Sequence, residues 1–258
     1  MVSRPAVQAE AATTLAEAPD AGLVRSSSAA RALNIVGDRW TLLVLYAAFM
    51  GTRRFDDFIR MTGMARSLLV DRLKRLESHG LMDRRPYQHR PVRYEYLLTQ
   101  AGADLYDAAL MILRWEKLWR YDPACPSHNI VHTTCGKPLT PTMVCGGCEK
   151  PVAVQDIELR PGPGAGLEAM PGPRLQRRST VGAVGAQPLH PMLERTIEVL
   201  GDRWTAHVVA AAFYGRSRFL DFQAELKVAS NILSDRLSRL CDRGILERRL
   251  YRARPERW

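Results

Sequence analysis

The sequence has few cysteines and no long apolar run, and both absences exclude kinds of protein. Its 258 residues contain five cysteines, four of them between residues 125 and 148, so a disulfide scaffold is excluded. The longest notable apolar run covers nine residues, 42–50, whereas a membrane-spanning helix needs about 20. The first 25 residues show no basic start followed by an apolar stretch, so we expect no export signal. Together these absences predict a protein of the reducing cytoplasm.

Acidic side chains are also scarce relative to basic ones. The chain has 27 Asp and Glu against 37 Lys and Arg, which gives a formal net charge of +10. A protein with such an excess often binds a polyanion, and the usual polyanion is nucleic acid. The alternative is a generally basic surface with no dedicated partner, and the charge alone leaves both interpretations open.

One segment of the chain occurs twice. Residues 36–91 align without a gap with residues 200–255 at an offset of 164, and 27 of the 56 positions are identical. The chain therefore carries two copies of one module, and 258 residues are enough for two small domains. The second copy stops at the counterpart of Tyr94, so we expect it to lack the last strand and the closing helix of the first.

The segments outside the two copies differ from them in composition. Residues 161–191 hold 12 Gly or Pro in 31 positions, which is typical of a flexible linker. The predicted division is a disordered N-terminal tail at 1–28, the first module at 29–121, a zinc-ribbon-like segment at 122–152, a flexible linker at 153–191, and the second module at 192–258.

Hydrophobic periodicity in the first copy predicts a mainly α fold with a small β-wing, an α+β class. A helix fits the major groove of duplex DNA, and a basic hairpin tip can reach phosphates or the adjacent minor groove. This order of elements is that of a winged helix-turn-helix. The predicted elements are helices at 31–36, 40–50, 54–61 and 66–78, strands at 81–87 and 93–99 joined by a tip at 88–91, and a final helix from 100 to about 120.

Basic and polar side chains on the helix at 66–78 and on the wing are the candidate DNA contacts. Several of these arginines recur as arginine in the second copy, among them Arg72, Arg75 and Arg90. An equally open alternative for Arg72 is an ion pair with a nearby acid. The candidates are Arg54, Arg66, Ser67, Arg72, Lys74, Arg75, His89, Arg90, Arg93, Ser230, Asn231, Arg236, Arg239 and Arg254.

The cysteine-rich segment has the spacing of a small zinc site. Two ligand pairs, His132-x-x-Cys135 and Cys145-x-x-Cys148, are separated by nine residues. Four protein ligands would leave no open position, so the expected cofactor is a structural zinc ion. Cys125 or His128 can replace His132 in this set. The other interpretations are a loop with unpaired thiols and a redox dithiol at Cys145 and Cys148.

Taken together, the motifs resemble the HxlR-type family of bacterial winged-helix regulators. The matching stretches lie at 37–41, 51–58, 72–81 and 91–99, and the resemblance covers about 29–120 and, more briefly, 193–258. It implies a transcriptional regulator that binds a pseudo-palindromic operator in double-stranded DNA, generally as a homodimer. Family members often carry a sensing cysteine before the first helix, where this chain has serines at 26–28 and His190 with Pro191.

Two other functions are weighed against DNA binding. Winged helices and zinc ribbons also serve as protein-interaction modules. An enzyme is not expected, because the sequence shows no nucleophile–base pair, no phosphate-binding glycine loop and no open metal site. If the protein reads DNA, its two readers come either from two chains of a dimer or from the two modules of one chain.

Overall fold

The computed structural model describes residues 23–25, 28–119, 130–158, 160, 162–163, 166–169, 201–250, 252–253 and 256–257. The chain divides into two compact units, one of residues 34–151 with 174–202 and the other of residues 1–33, 152–173 and 203–258. Within the described ranges, no helix is long and apolar enough to cross a membrane.

The described elements are helices and two-stranded antiparallel sheets. They are β1 (Leu23–Arg25), α1 (Ser28–Val36), α2 (Arg39–Phe49), α3 (Phe55–Thr62), α4 (Arg66–Ser78), β2 (Met82–His89), β3 (Val92–Leu98), α5 (Gln100–Ala103), α6 (Leu105–Trp119), β4 (Val131–His132), β5 (Lys137–Pro138), β6 (Leu167–Ala169), α7 (Arg203–Phe213), α8 (Phe219–Leu226), α9 (Ser230–Asp242), β7 (Arg252–Ala253) and β8 (Glu256–Arg257).

Helix α2 forms the centre of the first module because its sequence is apolar on nearly every side. Its N-cap is Asp38, whose carboxylate accepts hydrogen bonds from the backbone N–H groups of Trp40 and Thr41 at 3.1 and 3.2 Å. Val44 and Ala47 of this helix are completely buried. The predicted buried helix at 40–50 is therefore present, shifted by one residue toward the N-terminus.

Helices α3 and α4 form the helix-turn-helix and pack against α2. Helix α4 has the predicted bounds, and its leucine row at 69, 73 and 76 is fully buried in the core together with Phe58 of α3. The turn between them passes through Gly63 at φ +65°, a left-handed conformation that glycine adopts without steric cost. This packing leaves the opposite face of α4 at the surface.

The wing is the antiparallel pair β2–β3. Its register runs from Met82 opposite Leu98 to His89 opposite Val92, with an irregularity between Pro86 and Gln88. The strands are therefore longer toward the tip than predicted. Met82 is buried at the base of the wing, which ties the hairpin to the helical core.

The closing helix was predicted to be continuous, and it is divided instead into α5 and α6 around a turn at Asp104. Helix α5 is one turn long, and Thr99 caps it by accepting a hydrogen bond from the N–H of Gly102 at 3.1 Å. The predicted pattern of apolar residues continues on α6, where Phe49 of α2 contacts Tyr106 with ring centroids 5.1 Å apart.

Gly102 allows α5 to approach the base of the wing, and replacing it with alanine should destabilise this junction. A Cβ atom there would lie 2.0 Å from the backbone oxygen of Leu81. Alanine is the better helix former by about 1 kcal/mol, but the clash with backbone should outweigh this and cost about 2 kcal/mol or more. We expect a lower thermal midpoint for G102A. The control is G162A, whose Cβ would meet nothing within 4 Å; equal midpoints for both variants would contradict this role.

The second module repeats the helical part of the first. The bounds of α7, α8 and α9 are those of α2, α3 and α4 displaced by 164 residues, and Val208, Phe222, Leu233 and Leu240 are buried in it. The second copy was expected to lack the last strand, but a short one is present, since β8 pairs with β7 over two residues on each side. The repeat therefore preserves the three helices and the tip of the wing, whereas residues 245–250 form no strand.

Two segments predicted to be unstructured contain secondary structure, which corrects the predicted tail and linker. Strand β1 lies in the predicted tail at 1–28, strand β6 in the predicted linker at 153–191, and the two pair antiparallel. A 3-10 turn at Val154–Asp156 also lies in that linker. Strands of three residues are held together by backbone hydrogen bonds. Amino-acid composition does not predict these bonds, because they do not depend on the side chains. Residues 1–22 and 170–200 lie outside the described residues.

Candidate nucleic-acid interface

Helix α4 presents one continuous exposed face opposite its leucine row. The residues of this reading face are three or four positions apart, so they lie on the same side of the helix. Val70 stands in the middle of it with 40% of its surface exposed. The members of the reading face are Arg66, Ser67, Val70, Asp71 and Lys74.

Arg66 lies at the start of the reading face and is held loosely by surface contacts. Its guanidinium donates to Oδ1 of Asp56 at 2.9 Å and lies 5.6 Å from the centre of the Phe55 ring. The two charged side chains are 72% and 68% exposed, so this ion pair contributes little to stability. Arg66 can therefore exchange Asp56 for a phosphate or a base edge at small cost.

Arg72 and Arg75 do not lie on the reading face, and this corrects their assignment as DNA contacts. Their side chains are only 11% and 13% exposed. Nε of Arg72 donates to Oδ1 of Asp38 at 3.0 Å, and Arg75 donates to the backbone oxygen of Asn34 and lies 4.0 Å from Asp38. These contacts fix α4 to the end of α1 and to the N-cap of α2.

Arginine and tyrosine side chains alternate on the surface of the wing. Arg84 lies over the Tyr94 ring at 4.4 Å from its centre, and Arg54 lies over Tyr87 at 4.7 Å. Each of these tyrosines is exposed. Stacking of this kind keeps the guanidinium groups extended at the surface, where they remain able to meet phosphates. The remaining predicted wing contacts, His89, Arg90 and Arg93, are also exposed.

Backbone contacts fix the wing against the start of α3. The N–H of Tyr96 donates to the oxygen of Arg53 at 2.8 Å, and Arg54 forms an isolated β-bridge with Glu95. Burial raises the pKa of the Tyr96 phenol, a group that is neutral at physiological pH at its ordinary pKa as well. The wing is therefore fixed against the start of α3, the helix that precedes α4.

Four residues of this surface are not among the predicted DNA contacts, namely Val70, Arg84, Tyr87 and Tyr94. Val70 differs from its counterpart Ser234 in the second copy, so the sequence does show that this position of the helix varies. The two tyrosines carried a usable signal, because aromatic residues interleaved with arginines on a short hairpin are a pattern typical of nucleic-acid contact surfaces.

The corresponding face of α9 in the second module has a different chemistry. It is formed by exposed Ser230, Asn231, Ser234, Asp235 and Ser238. Ser230 accepts a hydrogen bond from Nε2 of Gln223 at 2.7 Å.

Two arginines flank that face. Arg236 pairs with Asp235 and is 21% exposed, whereas Arg239 is 61% exposed and lies 3.1 Å from Asp235. Arg239 is thus more accessible than its counterpart Arg75. The predicted contact at Arg254 lies outside the residues whose side chains are described.

The four predicted zinc ligands lie in two pairs. Nδ1 of His132 is 3.4 Å from Sγ of Cys135. The backbone N–H groups of Gly147 and Cys148, with the Cys148 thiol, lower the pKa of the Cys145 thiol. Across the described ranges, no three His, Cys, Asp or Glu side chains lie close enough together to hold one metal ion. Cys125 and His128 fall outside those ranges.

Comparison with known proteins agrees with this geometry. Residues 35–123 and 199–258 match the family of HxlR-like helix-turn-helix proteins. The chain is 41% identical over 137 residues to an HTH-type transcriptional regulator of Mycobacterium tuberculosis, covering 53% of this chain and 87% of that protein. It is 32% identical over 95 residues to the HTH-type transcriptional regulator YvaP of Bacillus subtilis, covering 36% of this chain and 87% of YvaP.

A solved structure is similar as well. PA1607, described as a candidate transcription factor, has 30% identity and a TM-score of 0.48 over 52% of this chain and 94% of its own. The relatives are named as transcriptional regulators, so the alternative of a pure protein-interaction module is not favoured. The two segments that match the family make up more than half of the sequence. The chain belongs to the HxlR-like helix-turn-helix family of winged-helix, DNA-binding transcriptional regulators.

Proposed function

We propose that the first module binds operator DNA with the reading face of α4 in the major groove and the wing on the neighbouring backbone. One observation carries this proposal: the leucine row of α4 is fully buried while Arg66, Ser67, Val70 and Lys74 are exposed together on its other side. A helix supported in this way is rigid, and it has the diameter that the major groove admits.

The residues of the surface divide into two roles. Those near the N-terminus of α4 are suited to base edges, since Arg66 can pair with guanine and the methyl groups of Val70 can pack on a thymine methyl. Lys74 and the arginines of the wing are suited to phosphates, which set position and affinity without reading sequence. Arg72 and Arg75 act indirectly, by holding α4 in place.

Helix α9 of the second module is suited to a DNA sequence different from the one that α4 prefers. Asn231 replaces Ser67 and can form a bidentate contact with adenine, while Ser230 replaces Arg66 and removes a positive charge. We propose that the two modules prefer unlike half-sites. The pair of readers is supplied by the two modules of one chain or by two chains of a homodimer.

Selection of genomic fragments with the purified full chain tests this function. We expect enrichment of duplexes that share an operator sequence, and an affinity that falls steeply as salt rises. Failure to enrich any duplex, or binding that does not respond to salt, would contradict the proposal.

Replacing Arg90 with alanine should weaken binding to all duplexes alike. Arg90 lies at the tip of the wing, where a guanidinium meets phosphates and not base edges. We expect the slope of log affinity against log salt to become shallower by about one unit, with unchanged sequence preference. The control is R160A, an exposed arginine paired with Glu158 outside the winged helix. A changed base preference at constant salt slope would refute the phosphate role.

The proposed location of the protein and the absence of a proposed reaction follow from a DNA partner. We propose that the protein works where the chromosome is, in the bacterial cytoplasm, and we assign it no catalytic step. The chemistry of any small-molecule effector is left open.

A further inference from the structure

The two ligand pairs of the cysteine segment lie in two turns with the same sequence pattern. The first reads His132-x-x-Cys135 followed by Gly-Lys-Pro-Leu, and the second reads Cys145-x-x-Cys148 followed by Glu-Lys-Pro-Val. The two stretches are displaced by 13 residues. The segment therefore contains a short internal repeat in which each copy offers two metal-binding side chains.

The backbone of the two turns is the same in detail. In the first, the N–H groups of Cys135 and Gly136 donate to the oxygen of His132 at 3.2 and 2.8 Å. In the second, the N–H groups of Cys148 and Glu149 donate to the oxygen of Cys145 at 3.3 and 2.7 Å. Each turn brings its first and fourth side chains to the same side.

The residue after the second ligand is left-handed in both turns. Gly136 has φ +68° and Glu149 has φ +59°. Glycine adopts this conformation freely, whereas glutamate adopts it at a cost of about 1 kcal/mol. The second turn thus keeps the shape of the first, although its sequence does not favour that shape.

Each turn also closes a small antiparallel ladder. His132 lies opposite Lys137 in the pair β4–β5. In the second turn the N–H of Cys145 donates to the oxygen of Lys150 at 2.9 Å, and Val144 bridges to Pro151. The structural unit is therefore a pair of equivalent hairpins with the candidate ligands at their tips.

These hairpins have no hydrophobic core of their own. Every residue from 130 to 151 is exposed or half-exposed, and Cys135, Cys145 and Cys148 are exposed free thiols. A segment of this size needs a disulfide or a metal ion to gain stability. The separation of 3.4 Å between Nδ1 of His132 and Sγ of Cys135 fits one tetrahedral zinc ion, which places an imidazole nitrogen and a thiolate about 3.5 Å apart.

We infer that the two hairpins are the two halves of one structural zinc site, with His132, Cys135, Cys145 and Cys148 as ligands. The hairpins close on each other around the ion, which brings together pairs that are separate in the described structure. Four protein ligands fill the tetrahedral shell, so the ion has no open position for catalysis. This inference does not depend on DNA binding.

Metal analysis of the purified full chain tests the inference directly. We expect about one zinc ion per chain. The variant C148S should lose this zinc, whereas the matched control C241S, in helix α9, should keep it. Retention of all the zinc in C148S would overturn the assignment, and so would a wild-type chain that takes up no zinc after reduction.

Cobalt substitution gives a second measurement that does not rely on a variant. After removal of zinc by a chelator, titration of the wild-type chain with Co²⁺ should give the intense d–d bands of a tetrahedral site and a thiolate-to-cobalt charge-transfer band. H132A should change the ligand field and keep the thiolate band. An octahedral spectrum, or a Cys145–Cys148 disulfide that forms in place of metal binding, would overturn the inference. Far-UV circular dichroism shows whether each variant keeps the helical content of the wild-type chain.

Discussion

Replacing Asp38 with alanine is expected to destabilise the first module by about 3 kcal/mol or more. The carboxylate caps α2 through the N–H groups of Trp40 and Thr41 and accepts from Nε of Arg72. Loss of a cap costs about 1 kcal/mol. The larger part of the effect comes from Arg72 and Arg75, because both guanidinium groups are mostly buried and both would lose the half-buried carboxylate that they share.

Hydrogen exchange on the full chain measures this effect locally. We expect the amides of α2 and α4 to exchange about a hundred times faster in D38A, because that factor corresponds to roughly 3 kcal/mol. The matched control is D71A, which removes the other carboxylate that pairs with Arg72. Asp71 is 68% exposed, so its loss should cost less than about 1 kcal/mol. Equal effects of D38A and D71A would contradict the structural role of Asp38.

Replacing Val70 with glutamate should abolish operator binding without unfolding the module. Val70 lies at the centre of the reading face, so a carboxylate there would meet the phosphates and the acceptor atoms of the base edges. Repulsion of this kind costs several kcal/mol, and we expect affinity to fall by about a hundredfold or more. Glutamate is a good helix former at an exposed position, so stability should change little.

Titration of a selected operator duplex, followed by fluorescence anisotropy, measures the loss. The control is A101E, which adds the same charge at an exposed position of α5 away from the reading face. We expect A101E to bind within about threefold of the wild type, since a single distant charge is screened at physiological salt. Equal losses in both variants would mean that net charge alone, and not the α4 surface, governs binding.

The helical part of the fold could be predicted from the sequence because its signals are local. The leucine row at 69, 73 and 76 has helical spacing, and the bounds of α4 follow from it. The exact offset of 164 then transfers the same three helices to the second module. Strands β1, β6 and β8 could not be predicted, because such short strands depend on backbone pairing that the local sequence does not specify.

The candidate site was only partly predictable for a related reason. Arg72 and Arg75 are of the residue type that commonly contacts DNA, and both recur as arginine in the second copy. Their direction is set by Asp38, which lies 34 residues earlier than Arg72 and becomes a neighbour only in the folded module. A long arginine side chain can lie against the protein or extend toward the solvent, and the position of the residue along the helix does not determine which. Arg66 and Lys74 were assigned to the exposed side, where the structure places them.

The central claim is that the reading face of α4 lies in the major groove with the wing beside it, and guanine N7 protection tests it most directly. N7 faces the major groove, so a bound helix should shield it from methylation. The account predicts protected guanines in the selected operator with the wild-type chain and loss of that protection with V70E. Tight operator binding that leaves every guanine N7 open to methylation would contradict it.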